Sequence, residues 1–135
     1  MDLSISVSKF MTSDPISVHP DDNLLVLKHL YEKQKFHHHI PVTDHGQIKG
    51  IVSLIDFMRV VHNASLDDND IVYNSHHVKD IMSENPVCIS EEASLKEVTD
   101  IFLRNEFHAL PVTEENKLKG IVTTTDVLRY FREHV

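Results

Sequence analysis

Apolar residues along this chain follow two periods, a helical one and an alternating one, and the pair of periods occurs twice. Leu24, Leu27, Leu30 and Tyr31 recur at helical spacing after an Asp-rich start, which predicts a helix over Asn23 to Lys35. Ile40 to Thr43 and Ile48 to Ser53 flank the turn residues Asp44, His45 and Gly46, as two strands of a hairpin would, and a second helix begins near Leu54. Further along, Leu95, Val98, Ile101 and Phe102 predict a helix over Leu95 to Glu106, opened by a capping box of Ser94 and Glu97. Strands over Ala109 to Thr113 and Leu118 to Thr123 follow, then a helix from about Thr124. Ile16 to Val18 and Val87 to Ile89, each just after a proline, read as short leading strands. The unit is β-α-β-β-α, and neither copy is expected to hide its sheet face without the other.

The two copies align residue by residue. MTSDPISV (11–18) matches MSENPVCI (82–89) at an offset of 71, and HHIPVTDHGQIKGIV (38–52) matches HALPVTEENKLKGIV (108–122) at an offset of 70. The first copy therefore carries one extra residue in its intervening helix. The repeats are placed at 8–62 and 78–135, with 63–77 as a connector whose DDND run reads as a solvated loop. GIVSLIDFMR (50–59) and GIVTTTDVLR (120–129) put a hydroxyl and a carboxylate three residues apart where strand gives way to helix. One role for Ser53 with Asp56, and Thr123 with Asp126, is to cap that helix, which contributes ~1 kcal/mol. A grip on a ligand is the other role, and the two can coexist.

With MTSDPISV, HIPVTD and GIVSLID in one copy and MSENPVCI, ALPVTE and GIVTTTD in the other, the chain resembles a tandem pair of cystathionine-β-synthase (CBS) domains, a Bateman module. The resemblance implies an α+β fold in which two β-α-β-β-α repeats pack with pseudo-twofold symmetry into one module. It also implies two clefts between the repeats, each taking an adenosine-containing ligand. In that family the carboxylate of the [ST]-x-x-D segment holds the ribose hydroxyls and the nearby Ser or Thr binds ribose or phosphate, which points to Ser53 and Asp56, and to Thr123 and Asp126. The purine is expected against Ile16, His39, Ile40 and Pro41 in one copy, and against Val87, Ala109, Leu110 and Pro111 in the other. Thr12 and Ser83 are hydroxyl candidates for the cleft rim, and Arg59 and Arg129 are candidate phosphate contacts one helical turn past the aspartates. A helix start with free N–H groups would help to hold a phosphate there.

Composition narrows the alternatives. A net charge of −8 argues against nucleic acid as a general partner, because phosphate contacts need a basic face. The segment MDLSISVSKF has no basic stretch leading into an apolar run, and nothing approaches the ~18 unbroken apolar residues of a membrane helix. A cytoplasmic protein without membrane contact is expected. Cys88 is the only cysteine, so it forms no internal disulfide, and its apolar neighbours place it in a strand as a small packing residue. Eleven histidines invite a metal reading, but consecutive strand residues face opposite ways, so only His37 and His39 of the triple run share a face; no metal site is expected, and His76 and His77 read as a solvated pair. The chain shows no Gly-rich phosphate loop with its lysine, no G-x-S-x-G and no H-E-x-x-H, so no enzyme and no catalytic cofactor are expected.

The expected function is regulatory ligand sensing: AMP, ADP, ATP, S-adenosylmethionine or NAD binds, and occupancy shifts a conformational equilibrium. With a hydrophobic share of 41% and four amphipathic helices, a homodimer is expected, and with no output domain in these 135 residues the effect falls on a partner in trans. The competing reading is a ligand-independent dimerisation scaffold, favoured by His39 standing where the second copy has Ala109.

Overall fold

The computed structural model describes residues 1–33 and 38–135, so His37 and the last two residues of the predicted first helix lie outside the described residues. After a 3-10 turn at Val7–Lys9, the elements in chain order are β1 (Thr12–Ser13), α1 (Leu24–Tyr31), β2 (His39–Asp44), β3 (Gln47–Ser53), α2 (Leu54–Val61), α3 (Ile71–Ser75), α4 (Val78–Ile81), β4 (Ser83–Glu84), β5 (Ile89–Ser90), α5 (Leu95–Leu103), β6 (Ala109–Glu114), β7 (Lys117–Thr123) and α6 (Thr124–His134). The fold is α+β, with the same order of helix, hairpin and helix in both repeats. The chain divides into two compact units, Ile16–Pro86 and a unit formed by Met1–Pro15 with Val87–Val135. Residues 11–13 thus belong with the second hairpin, and residues 82–84 with the first.

In the unit Ile16–Pro86, β2 and β3 form an antiparallel hairpin with His39 opposite Ser53 and Asp44 opposite Gln47. Its tip is tight: His45 and Gly46 both have positive φ, 51° and 79°, the pattern that matches a two-residue turn to strand twist. β4 lines the other side of β3, pairing Ser83 with Ile51. The predicted strand over Ile16 to Val18 is reduced to a single parallel bridge, where the Val18 N–H donates to Pro41 O at 3.0 Å and the Thr43 N–H to Val18 O at 2.8 Å. Pro15 and Pro20 bracket it and deny it a longer ladder. Leu24 and Leu27 of α1, Val42 and Val52 of the hairpin and Val78 of α4 are fully buried at the centre.

The other unit repeats the plan. β6 and β7 pair with Ala109 opposite Thr123 and the same register shift after the valine, β5 runs parallel to β6 with Ile89 opposite Val112, and β1 lies antiparallel on β7 with Thr12 opposite Ile121. The predicted strand over Val87 to Ile89 starts two residues later, so Cys88 precedes it; the thiol is half-buried, and burial pushes its pKa up. Of the predicted capping box one half is present, Ser94 accepting from the Glu97 N–H at 3.1 Å without the reciprocal bond to the Glu97 side chain among the described residues, and the helix closes at Leu103, short of Glu106.

The connector is more structured than a solvated loop. After an exposed turn around Leu66 to Asn69 it contains α3, with α4 following at the start of the second repeat, and Tyr73 is buried with its hydroxyl donating to Ser65 O at 2.7 Å. His76 is half-buried and hydrogen-bonded to Val72 O at 3.2 Å, while His77 precedes α4 with its N–H donating to Asp80 Oδ2 at 2.9 Å. Of the expected solvated histidine pair, His77 is exposed as expected, while His76 is held half-buried against α3. Among the described residues no helix is long and apolar enough to cross a membrane.

Candidate functional site

Both [ST]-x-x-D segments sit where a central strand turns into a helix, because the residue ending the strand also caps the helix. Thr123 is the N-cap of α6, and its Oγ1 accepts the Asp126 N–H at 3.2 Å. Asp126 answers through Oδ2, which accepts the Thr123 N–H at 2.9 Å and the Thr123 hydroxyl at 3.1 Å. Its Oδ1 accepts Arg129 Nη1 at 3.0 Å and, from 114 residues away in sequence, the Thr12 hydroxyl at 3.4 Å. Two donors therefore meet each carboxylate oxygen. Asp126 is only 5% exposed, a buried acidic group held by charge-assisted hydrogen bonds.

The equivalent junction in the other unit has the same cap and fewer partners. Ser53 Oγ accepts the Asp56 N–H at 3.0 Å, and Asp56 Oδ2 accepts the Ser53 N–H at 3.1 Å. Arg59 Nη1 stands 4.0 Å from Asp56 Oδ1, beyond a hydrogen bond, and the Asp56 side chain is 26% exposed against 6% for Asp126. Ser83 occupies the register position on β3 that Thr12 occupies on β7, yet it makes no hydrogen bond to Asp56 among the described residues. Capping and carboxylate placement are thus one structure in both copies.

That structure also uses the helix N–H groups that would otherwise await an anion. Of the four orphan donors at each start, three are taken: the N-cap N–H by the aspartate, the first-turn N–H of Leu54 by His38 O at 2.7 Å and of Thr124 by His108 O at 3.1 Å, and the aspartate's own N–H by the cap hydroxyl. The expectation of several free N–H groups for a phosphate is therefore corrected to one second-position N–H per helix, those of Ile55 and Thr125.

The residues expected around the purine divide into two kinds. Ile16 and Val87 are apolar yet each 47% exposed, one in each unit, as a surface for a flat apolar group requires. Ile40, Pro41, Leu110 and Pro111 are buried, with Ile40 and Leu110 inside the two hydrophobic cores, so the four present little surface of their own. His39 begins β2 half-buried, and Ala109 begins β6 buried, opposite Ser53 and Thr123 respectively.

Two further features escaped the sequence reading. Met11 and Met82 pack against Gly120 and Gly50, where a Cβ on either glycine would lie 2.6 Å from the methionine sulfur and 2.8 Å from the carbonyl oxygen of Thr12 or Ser83. The glycines let β1 and β4, and with them Thr12 and Ser83, lie close against the strands that end at the caps. Tyr31 stacks obliquely on Phe57 at 5.1 Å and buries a hydroxyl that has no hydrogen-bond partner among the described residues; burial, then the negative charge of Asp56, raises its pKa. The second copy has Phe102 there, so the sequence offered periodicity but no sign of the stranded hydroxyl. Elsewhere, His29, Glu32 and Asp68 bring potential ligand atoms within 4.8 Å of one another on the surface, but the Lys28 ammonium already bonds both carboxylates, at 2.8 and 2.6 Å.

The CBS domain family model matches residues 7–63 and again residues 78–133. The chain belongs to the CBS domain family. An uncharacterised protein of Methanocaldococcus jannaschii is 35% identical to this CBS pair over 130 residues, which cover 94% of the chain and 44% of that protein. The chain spans less than half, 46% and 44%, of the length of two curated relatives that match it over most of its own length. Among solved structures, CBSX2 of Arabidopsis thaliana in complex with AMP superposes with a TM-score of 0.79 at 25% identity, covering 96% of this chain and 97% of that one. A CBS domain pair solved with 5′-methylthioadenosine and S-adenosyl-L-methionine shares the fold at a TM-score of 0.79 and 21% identity, covering 97% of this chain and 98% of its own.

Proposed function

We propose that this CBS pair is a regulatory module that binds an adenosine-containing ligand, AMP or a related adenosyl compound, at Asp56 and Asp126. The observation that carries the reading is the repeated junction: in both units the strand leading into a capped carboxylate pairs with a short hydroxyl-bearing strand of the other sequence repeat, Thr12 or Ser83, and at Asp126 that hydroxyl reaches the carboxylate. A ribose offers two adjacent hydroxyls that one carboxylate can accept together, and the AMP-bound relative aligns with the chain nearly end to end. Ile16 and Val87 supply the apolar surface for the purine, and Ser53 and Thr123 contact ribose or phosphate. Occupancy shifts the equilibrium between module conformations by the ligand's differential affinity, and a partner protein reads that shift. The module acts as a homodimer and performs no chemistry on its ligand.

The scaffold reading has one observation in its favour: the donors around Asp126 are complete without any ligand. A thermal-shift screen with AMP, ADP, ATP, S-adenosylmethionine and NAD separates the two. At a hundredfold excess over Kd, a bound ligand adds about 2.7 kcal/mol to wild type. Asp126→Asn, or Asp56→Asn, should remove its own site's share of that ligand-dependent gain, in addition to what the loss of the helix cap costs the unliganded protein. If none of the five compounds moves the wild-type melting temperature, sensing is wrong and the scaffold reading stands.

A further inference from the structure

We infer that the two sites fill in order, Asp56 before Asp126, because Asp126 already carries a full set of donors from within the protein; this rests on the reading of both aspartates as ribose grips. A carboxylate offers about four acceptor positions, two on each oxygen. At Asp126 all are taken: the Thr123 N–H and hydroxyl meet Oδ2 at 2.9 and 3.1 Å, and Arg129 Nη1 and the Thr12 hydroxyl meet Oδ1 at 3.0 and 3.4 Å. At Asp56 the Ser53 N–H, on Oδ2 at 3.1 Å, is the one donor within hydrogen-bond distance among the described residues. Arg59 Nη1 stays 4.0 Å from Oδ1, so it lends charge without occupying a position.

The difference comes from side chains that the repeat does not hold constant. Ser53 and Thr123 cap equivalent helices, yet of the two only Thr123 also turns its hydroxyl onto the aspartate among the described residues. Ser83 holds the register position of Thr12 without reaching Asp56 among those residues. A ribose diol therefore finds open positions on Asp56, whose side chain is 26% exposed, and the donors it displaces there are solvent. On Asp126, 6% exposed, a ribose hydroxyl enters only when a protein donor leaves, and the longest contact, that of Thr12, is the first to yield. Whichever donor yields, its bond is subtracted from the gain on binding. The two sites then answer at different ligand concentrations, the unit Ile16–Pro86 at the lower one.

Calorimetry with AMP tests the order. Wild type should show two binding steps at least about fivefold apart, the value of one ordinary hydrogen bond. Asp56→Asn should abolish the tighter step and Asp126→Asn should leave it; the reverse pattern, or two equal steps, overturns the inference. Because Asp126→Asn also gives up part of a helix cap, Thr12→Val supplies a second test that keeps the cap intact. It empties one position on Oδ1 and should tighten the weaker step toward the stronger. Affinities that fail to converge in that variant count against the proposal. Wild type that takes up no AMP overturns the reading of both aspartates as AMP sites, and the order with it.

Discussion

Gly120 and Thr12 show how a single hydrogen atom in place of a methyl positions a candidate ligand group. β1 lies so close to β7 that a Cβ on Gly120 would meet Met11 Sδ at 2.6 Å and Thr12 O at 2.8 Å. The thioether can swing away, but the carbonyl belongs to the strand pairing and cannot. Gly120→Ala, and Gly50→Ala by the same contacts with Met82 and Ser83, should each cost about 1–3 kcal/mol in urea unfolding, as overpacking does. Gly46→Ala meets nothing within 4 Å and should cost only its left-handed backbone, about 1 kcal/mol. An alanine at 120 as well tolerated as wild type would mean that the close approach of β1 is not obligatory. The Ser/Thr and Asp pairs were legible in the sequence, because a spacing of three is what brings an aspartate back to an N-cap. The Thr12 contact with Asp126 was legible only as a rim candidate, since no local pattern joins residues 114 positions apart.

At the scale of elements, the hairpins were readable to within a residue or two, since turn residues and alternation agree, as they do at Asp44 to Gly46. The short strands β1 and β4 were not, because two residues carry no period; they exist because a methionine covers a glycine on the neighbouring strand. The connector hid its order for another reason: its anchor is on α1. Lys28 is 5% exposed, with Nζ 2.6 Å from Asp68 Oδ1 and 2.8 Å from Glu32 Oε1, and 5.5 Å from the Tyr73 ring centroid. The hydrogen bond to Asp68, then that to Glu32, raises the Lys28 pKa, and the bond from Lys28, then that from His29, lowers the Asp68 pKa. A lowered carboxylate stabilises the fold above its ordinary value of 3.8 and loses that contribution as pH falls through the folded value; a raised lysine contributes below its ordinary 10.5 and loses it as pH rises further. The pin should therefore hold across the whole neutral range. The protection of amides 64–75 against hydrogen exchange, taken relative to the intrinsic rate at each pH, should fall in acid, and Asp68→Asn should show the same loss of protection already at neutral pH. Exchange in that variant indistinguishable from wild type at neutral pH would show that the pin does not hold the connector.

The whole molecule is built by interleaving, with each compact unit taking the residues beside its carboxylate from the other sequence repeat. Such a chain has buried its two cores but not every apolar face. α2 turns Phe57 and Val61 inward and leaves Ile55 and Met58, one helical turn apart, 63% and 54% exposed; α6 buries Val127 and Tyr130 and leaves Leu128 67% exposed. Met58 and Leu128 occupy equivalent positions in the two repeats, so the exposure is a property of the unit and not an accident of one helix. A net charge of −8 keeps copies apart unless the contact is apolar, and these positions supply one. We expect sedimentation at micromolar concentration to show twice the 15.5 kDa chain mass. Met58→Glu should return the protein to the single-chain mass without lowering its melting temperature much, since the side chain it replaces is already in water. Wild type that sediments only as a 15.5 kDa species would refute the dimer. A Met58→Glu protein that stays dimeric would instead move the interface away from α2, leaving the apolar side chains on that helix as a surface for the regulated partner.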